Sequence, residues 1–389
     1  MNAEPNPVDT KLTSRIPVTL VTGFLGSGKT TLINKALKAP ELSKTVVVVN
    51  EFGEVGLDHE LYASSNDAVI VLENGCLCCT VRSDLVSTLN NLFHDRQAGR
   101  IPAFNNVVIE TSGLAEPGPV LQVFLSEPTL DGLYRVASVL TLVDAVNWEK
   151  TVEQHVEALR QVALADRIVI TKLDLVDGDV TAAEQHLRRE LARMNPTAGI
   201  ETVDWTSAHV AKLLSSTGFD AADPTADPLP WLGIKTYEAY AGPTGGSGTT
   251  EQDVPFHLQG KGIESFVLTR ADPLSRDELQ FLLDGIAQNL GSSLLRVKGL
   301  VNVAEEPGKP AVIQGAQHLL HTMTWLDHWP SADTRTRVVF ITQGIVRDRL
   351  QEIIELLDRM STRTFQARER GRLARQAAEK NDRPEEPTS

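Results

Sequence analysis

The stretch Gly23-Phe24-Leu25-Gly26-Ser27-Gly28-Lys29-Thr30 follows an apolar run, Pro17-Val18-Thr19-Leu20-Val21, and opens a helix-length segment, Lys29–Lys38. The pattern G-x-x-x-x-G-K-[ST] between a strand and a helix is that of a phosphate-binding loop. Its glycines let successive backbone N–H groups turn toward phosphate oxygens, where a Cβ would block the approach. The helix N-terminus adds the positive end of its dipole. In that frame Lys29 reaches the β- and γ-phosphates, and the Thr30 hydroxyl ligates Mg²⁺.

Outward from this loop, short β-branched runs alternate with helical stretches. The strands read TVVVVN, AVIVLE, NVVIE, RVASVLTLV and DRIVIT, and the helices include Arg82–Phe93, Thr151–Gln161 and Ala182–Met194. Several strands are apolar on both faces, as in a parallel sheet covered by helices on each side. The reading is an α/β protein with a mostly parallel, doubly wound P-loop NTPase sheet over residues 16–214. Residues 1–15 read as a flexible arm, and the Gly/Pro/Thr-rich stretch 215–260 as a linker. A smaller α+β unit follows at 261–359, with consecutive strands, a helix Asp277–Asn289 capped by a Ser275/Glu278 box, and a final helix Arg347–Met360. Residues 360–389 form a charged tail. Its five arginines between Arg363 and Arg375, against one Glu, are read as a solvated segment, or alternatively as a docking arm.

A carboxylate near the magnesium belongs at the end of another buried strand. Glu110 ends NVVIE, and Gly113, three residues on, can present its N–H to a γ-phosphate. Glu51, in Asn50-Glu51-Phe52-Gly53-Glu54, is a second candidate to bind magnesium or orient water; the plain alternative is a solvated loop acid. Thr171-Lys172-Leu173-Asp174 follows DRIVI. An Asp there accepts from guanine N1–H and the exocyclic amine, a donor pair adenine lacks, and Lys172 can lie over the ring. The base is therefore read as guanine, the nucleotide as GTP/GDP.

All three cysteines of the chain fall within four residues, Cys76, Cys78 and Cys79, between a strand and a helix. Three soft sulfurs favour Zn²⁺ or another thiophilic metal, which expels the thiol protons on binding. Three ligands leave one tetrahedral position for His59, water or a partner's group, an arrangement suited to transfer. A redox dithiol and simple packing are the alternatives, although Cys76 and Cys78 are too close for an unstrained bridge. Three cysteines are too few for a disulfide scaffold.

The 389 residues carry a formal charge of −14. So acidic a chain argues against nonspecific nucleic-acid binding, which requires clustered Lys and Arg. No apolar run reaches the ~18 residues that span a bilayer, and the N-terminal residues lack the apolar stretch of a signal peptide. The expectation is a cytoplasmic protein with neither nucleic-acid nor membrane partners.

GFLGSGKTTLIN, NEFGEVGLDHEL, ENGCLCCTVRSDL, VVIETSGLAEPGPV, TLVDA and ADRIVITKLDLVD together resemble the CobW family of P-loop GTPases, which is similar to nickel-insertion GTPases. LLRVKGLVNVAEEPGKPAVIQGAQH resembles the CobW C-terminal domain. The resemblance implies a slow GTPase and metallochaperone, with Gly26, Ser27, Gly28, Lys29, Thr30 and Thr31 on phosphates and magnesium. It implies Zn²⁺ or Co²⁺ on Cys76, Cys78 and Cys79, Asp174 as guanine reader, and a client metalloprotein as partner; a homodimer is compatible with it. Thr171 stands where the family commonly has Asn, which weakens one polar contact to the base. A His-rich linker, common in relatives, is missing. The alternative function is a metal-responsive interaction protein whose nucleotide is structural and barely hydrolysed.

Overall fold

The computed structural model describes residues 15–50, 69–72, 79–215, 262–317, 319–320, 323–345, 348–357 and 359–360. The first unit is a sheet of seven parallel strands in the order β3-β2-β4-β1-β5-β6-β7. These are β1 (Ile16–Gly23), β2 (Thr45–Asn50), β3 (Val69–Leu72), β4 (Asn106–Thr111), β5 (Tyr134–Asp144), β6 (Arg167–Thr171) and β7 (Gly199–Thr202). Val and Ile dominate the central strands because both faces are buried. On one face lie α1 (Lys29–Ala36) and α8 (Ser207–Ser215), packed through Leu32, Ile33, Val210 and Leu214. On the other lie α2 (Cys79–Gln97), α3 (Pro117–Ser126), α6 (Val156–Leu164) and α7 (Val180–Met194). Two short helices, α4 (Pro128–Asp131) and α5 (Trp148–Gln154), complete the connections. The α/β, doubly wound architecture agrees with the sequence reading.

Two local expectations need correction. The single helix Thr151–Gln161 is two, because His155 is extended at φ −129°, ψ 107° and ends α5 before α6 begins. The seventh strand, Gly199–Thr202, was absent from the sequence reading; it is a short, half-buried edge strand with little apolar signal.

The second unit is an antiparallel sheet, β11-β10-β9-β13-β8, with β12 also paired to β10. Its strands are β8 (Ile263–Arg270), β9 (Leu294–Val301), β10 (Ala311–Ala316), β11 (Leu319–Leu320), β12 (Thr324–Trp325) and β13 (Thr336–Gln343). Helix α9 (Arg276–Leu290) and the helix at 348–357 cover one face through Leu279, Leu283, Ile286, Leu350 and Ile354. The other face turns toward α6 and α7, and Ala163, Leu295 and Ile341 form a small core between the units. Asp166, just before β6, meets Arg296 and Lys298 of β9 in the same interface, Lys298 Nζ at 2.7 Å. Arg296 and Lys298 are two residues apart on a strand and therefore share its face. Among the described residues no helix is long and apolar enough to cross a membrane.

Candidate functional site

The loop between β1 and α1 lies at the carboxyl ends of the strands, where open α/β sheets bind ligands. Gly23, Gly26 and Gly28 have φ of 139°, 74° and 98°, the left-handed region that excludes most side chains. At Gly23 a Cβ would also fall 2.5 Å from Leu142 O. Space above Gly26 is open, with nothing within 4 Å of a Cβ position. The buried Ser27 Oγ has no hydrogen-bond partner among the described residues, leaving a polar atom free for a ligand. Lys29 is buried, and its ammonium donates to Gly23 O at 2.8 Å and Phe24 O at 3.2 Å. Thr31, next on the helix, is exposed.

Thr30 Oγ1 donates to Glu110 Oε1 at 2.8 Å. β4 lies beside β1 with Glu110 opposite Val21, which is how residues 80 apart in the chain come together. An oxygen-only pair of this kind suits a hard cation such as Mg²⁺. Gly113 packs onto the loop: a Cβ there would lie 2.6 Å from the Leu25 backbone N and from Leu25 Cδ2. Only glycine permits that approach.

On the other side of β1, β6 leads into the segment read from sequence as contacting the base. Asp174 is exposed in the turn Leu173–Leu175. Lys172, left-handed at φ 60°, pairs with Asp144 at 2.8 Å. Burial acts to raise the Asp144 carboxyl, but hydrogen bonds from Lys172, Asn147 and the Val146 amide, with the Lys172 charge, hold it below its ordinary value. The Thr171 hydroxyl is buried and donates to Ser27 O at 2.9 Å, so it braces the phosphate loop. Trp205, in the loop after β7, brings Cη2 to 3.7 Å from the Cβ position of Gly28.

Glu51, His59, Cys76 and Cys78 lie outside the described residues, and Cys79 is the first residue of α2. Among the described residues no group of three His, Cys, Asp or Glu is arranged to hold a metal ion. Leu25, Leu114, Val146 and Leu175 are exposed large apolar residues at the same ends of β1, β4, β5 and β6, strands adjacent in the sheet.

Residues 17–201 match the family model of the CobW/HypB/UreG nucleotide-binding domain, and residues 263–357 that of the cobalamin synthesis protein cobW C-terminal domain. The zinc chaperone YjiA of Escherichia coli (strain K12) is 31% identical over 329 residues, covering 84% of this chain and 93% of YjiA. The chain belongs to the CobW family. Similarity extends to zinc-regulated GTPase metalloprotein activator 1 of Dictyostelium discoideum, 26% identical over 87% of this chain and 76% of that protein. The crystal structure of Zn(II)-bound YjiA GTPase superposes with a TM-score of 0.62 at 26% identity, covering 88% of this chain and 99% of that one.

Within this CobW-family site, sequence reasoning missed Gln161 and Trp205 and gave no role to Asp144, although it lies in the TLVDA motif. Their signals are weak locally, since each acts on a partner far along the chain. Gln161, on α6, donates to Gly113 O at 3.1 Å and Ala115 O at 3.0 Å.

Proposed function

We propose that the protein is a GTP-hydrolysing metallochaperone that carries a thiophilic divalent metal, Zn²⁺ or Co²⁺, on the Cys76-x-Cys78-Cys79 loop and delivers it to a client metalloprotein. The observation that carries this reading is the Lys29–Thr30–Glu110 arrangement at the glycine loop, in a chain similar to a zinc chaperone over most of its length.

In this reading the loop amides, Ser27 and Lys29 hold the phosphates, with Thr31 beside them, and Asp174 selects guanine with Lys172 over the ring. Thr30 and Glu110 would hold Mg²⁺, which when bound would supply positive charge to offset the phosphates' negative charge. Glu51 orients the attacking water, and the products are GDP and phosphate, formed slowly. Gly113 senses the γ-phosphate; its loss loosens the turn at 113–115, and the metal is released. Glu51 and His59 lie in sequence between the phosphate loop and the cysteines, which supports one switch serving both. The exposed Leu25, Leu114, Val146 and Leu175 support a protein docking over the nucleotide face, either the client or a second copy of the chain. Domain limits of 16–214 and 261–359, joined by the 215–260 linker, and a cytoplasmic setting belong to the same proposal.

The test is Zn²⁺ affinity in the presence of a nonhydrolysable GTP analogue and of GDP. The two should differ by about tenfold or more, a typical coupling. Equal affinities remove the GTP-driven carrier, because a ligand without differential affinity shifts nothing. Lys29→Ala, which removes the phosphate-binding ammonium, should abolish the difference. GTP turnover undetectable both with and without stoichiometric Zn²⁺ would instead favour the interaction protein with a structural nucleotide.

A further inference from the structure

Gln161 is a buried amide on a largely apolar helix face. It is 1% exposed, on a helix whose neighbouring buried residues are Ala158, Leu159, Val162 and Ala163. Burying an amide without partners costs a few kcal/mol, so its partners explain its presence. Both are main-chain carbonyls of the segment after Glu110, Gly113 O at 3.1 Å and Ala115 O at 3.0 Å. Since carbonyls only accept, the NH₂ group of Gln161 must face them.

The segment it grips is a tight turn, closed by Ala115 N–H donating to Ser112 O at 3.0 Å. One side of this turn is pressed on the phosphate loop through Gly113 and Leu25. The other side has Gln161. The helix bearing Gln161 is itself anchored: Thr141 Oγ1 of β5 donates to Gln161 O at 2.9 Å, and the His155 ring at its N-cap lies 4.5 Å from the Phe24 ring of the phosphate loop. Gln161 also lines a cavity of about 280 Å³ together with Leu25 and Gly26 of the phosphate loop.

We propose that Gln161 is a positioning residue, which holds the Gly113–Ala115 turn where it can report the γ-phosphate, so that it sets the preference for GTP over GDP without touching nucleotide. The inference rests on the nucleotide reading above.

Gln161→Met keeps length and volume but cannot donate. Two neutral hydrogen bonds contribute on the order of a tenfold factor in an equilibrium. Affinity for a nonhydrolysable GTP analogue should therefore fall about tenfold, with GDP affinity within about twofold of the wild type and kcat for GTP lowered. Gln161→Glu adds a pH readout. A protonated Glu is isosteric with Gln and donates one bond, so the preference for the GTP analogue should recover as pH falls from 8 to 6, while Gln161→Met shows no such trend. A folded Gln161→Met with unchanged analogue-to-GDP ratio overturns the proposal. So does an equal loss of both affinities, which marks a purely structural role. If Gln161→Met does not fold, the pH trend of Gln161→Glu decides, and a flat profile counts against the proposal. Failure of the wild type to bind either nucleotide would defeat the GTPase reading itself, an outcome distinct from these.

Discussion

At the scale of single residues, the site depends on short contacts between groups distant in the chain. Thr30 of α1 and Glu110 of β4 share a hydrogen bond of 2.8 Å, and Glu110 is 5% exposed, so its charge acts in a poorly screened setting. Glu110→Gln keeps the acceptor for Thr30 but removes the charge. It should raise the Mg²⁺ concentration for half-maximal GTP turnover about tenfold and lower the plateau, with GDP binding in EDTA unchanged. A Mg²⁺ titration of turnover checks this; an unaltered midpoint would show that Glu110 does not serve the metal. Lys29 was readable from its motif because eight contiguous residues define its setting. Thr171 was read as a base contact because it stands where the family commonly has Asn, three residues before Asp174. Its hydroxyl turns inward to Ser27 O, a choice made by the packing of β6 against the phosphate loop.

Elements followed the sequence where local chemistry was self-sufficient. In α9, Ser275 Oγ accepts from Glu278 N at 3.2 Å and Glu278 Oε2 accepts from Ser275 N at 2.8 Å, the reciprocal box that the spacing announced. Ser275→Ala should destabilise the chain by about 1 kcal/mol, seen as a lower urea midpoint at unchanged slope. No loss would mean that water replaces the cap. The break at His155 carried no such signal. No Gly or Pro marks it; tertiary packing stops α5 and restarts α6 so that His155 stacks on Phe24 and Gln161 reaches the turn. β7 was missed for a related reason. Gly-Ile-Glu-Thr is too short and too polar to read as a strand, and pairing along β6 through Ile168–Ile170 makes it one.

At the scale of the whole molecule, the two units are joined by polar contacts that an acidic composition does not reveal. Asp166 is clamped by Arg296 and Lys298. Nearby, Arg160 of α6 links Glu116, just past the Gly113 turn, to Gln343 of β13 at 2.7 Å. Burial acts to raise the Asp166 carboxyl, but the charges of Arg296 and Lys298, with hydrogen bonds from Lys298 and the Val139 amide, together bring it from 3.8 to about 2. Burial likewise lowers the Lys298 ammonium from 10.5 to about 8, against the pull of Asp166, so it remains mostly charged at neutral pH. A carboxyl depressed on folding contributes stability that is complete above its unfolded value and disappears as pH falls through the folded one. The Asp166 contribution should be full above pH 3.8 and fade toward pH 2. Asp166→Asn should cost roughly 3–5 kcal/mol near pH 7, because two buried cations lose their partner. The gap to wild type should narrow below about pH 4. Chemical denaturation across pH 2–7 checks both the size and the sign, and a gap independent of pH would remove the ion cluster as its cause.

The phosphate loop, the two classes of sheet and the α9 cap were determined by sequence alone. Each is encoded in a contiguous run whose backbone and side-chain chemistry hardly depend on distant residues. Tertiary structure decided what surrounds them. The inward turn of Thr171, the Gln161 grip on Gly113 and Ala115, and the Asp166 cluster join residues 144, 48, 46, 132 and 130 positions apart. Side chains at such separations have no periodicity to read. Only when strands, helices and the two sheets pack together do buried polar groups meet partners that offset the cost of leaving water.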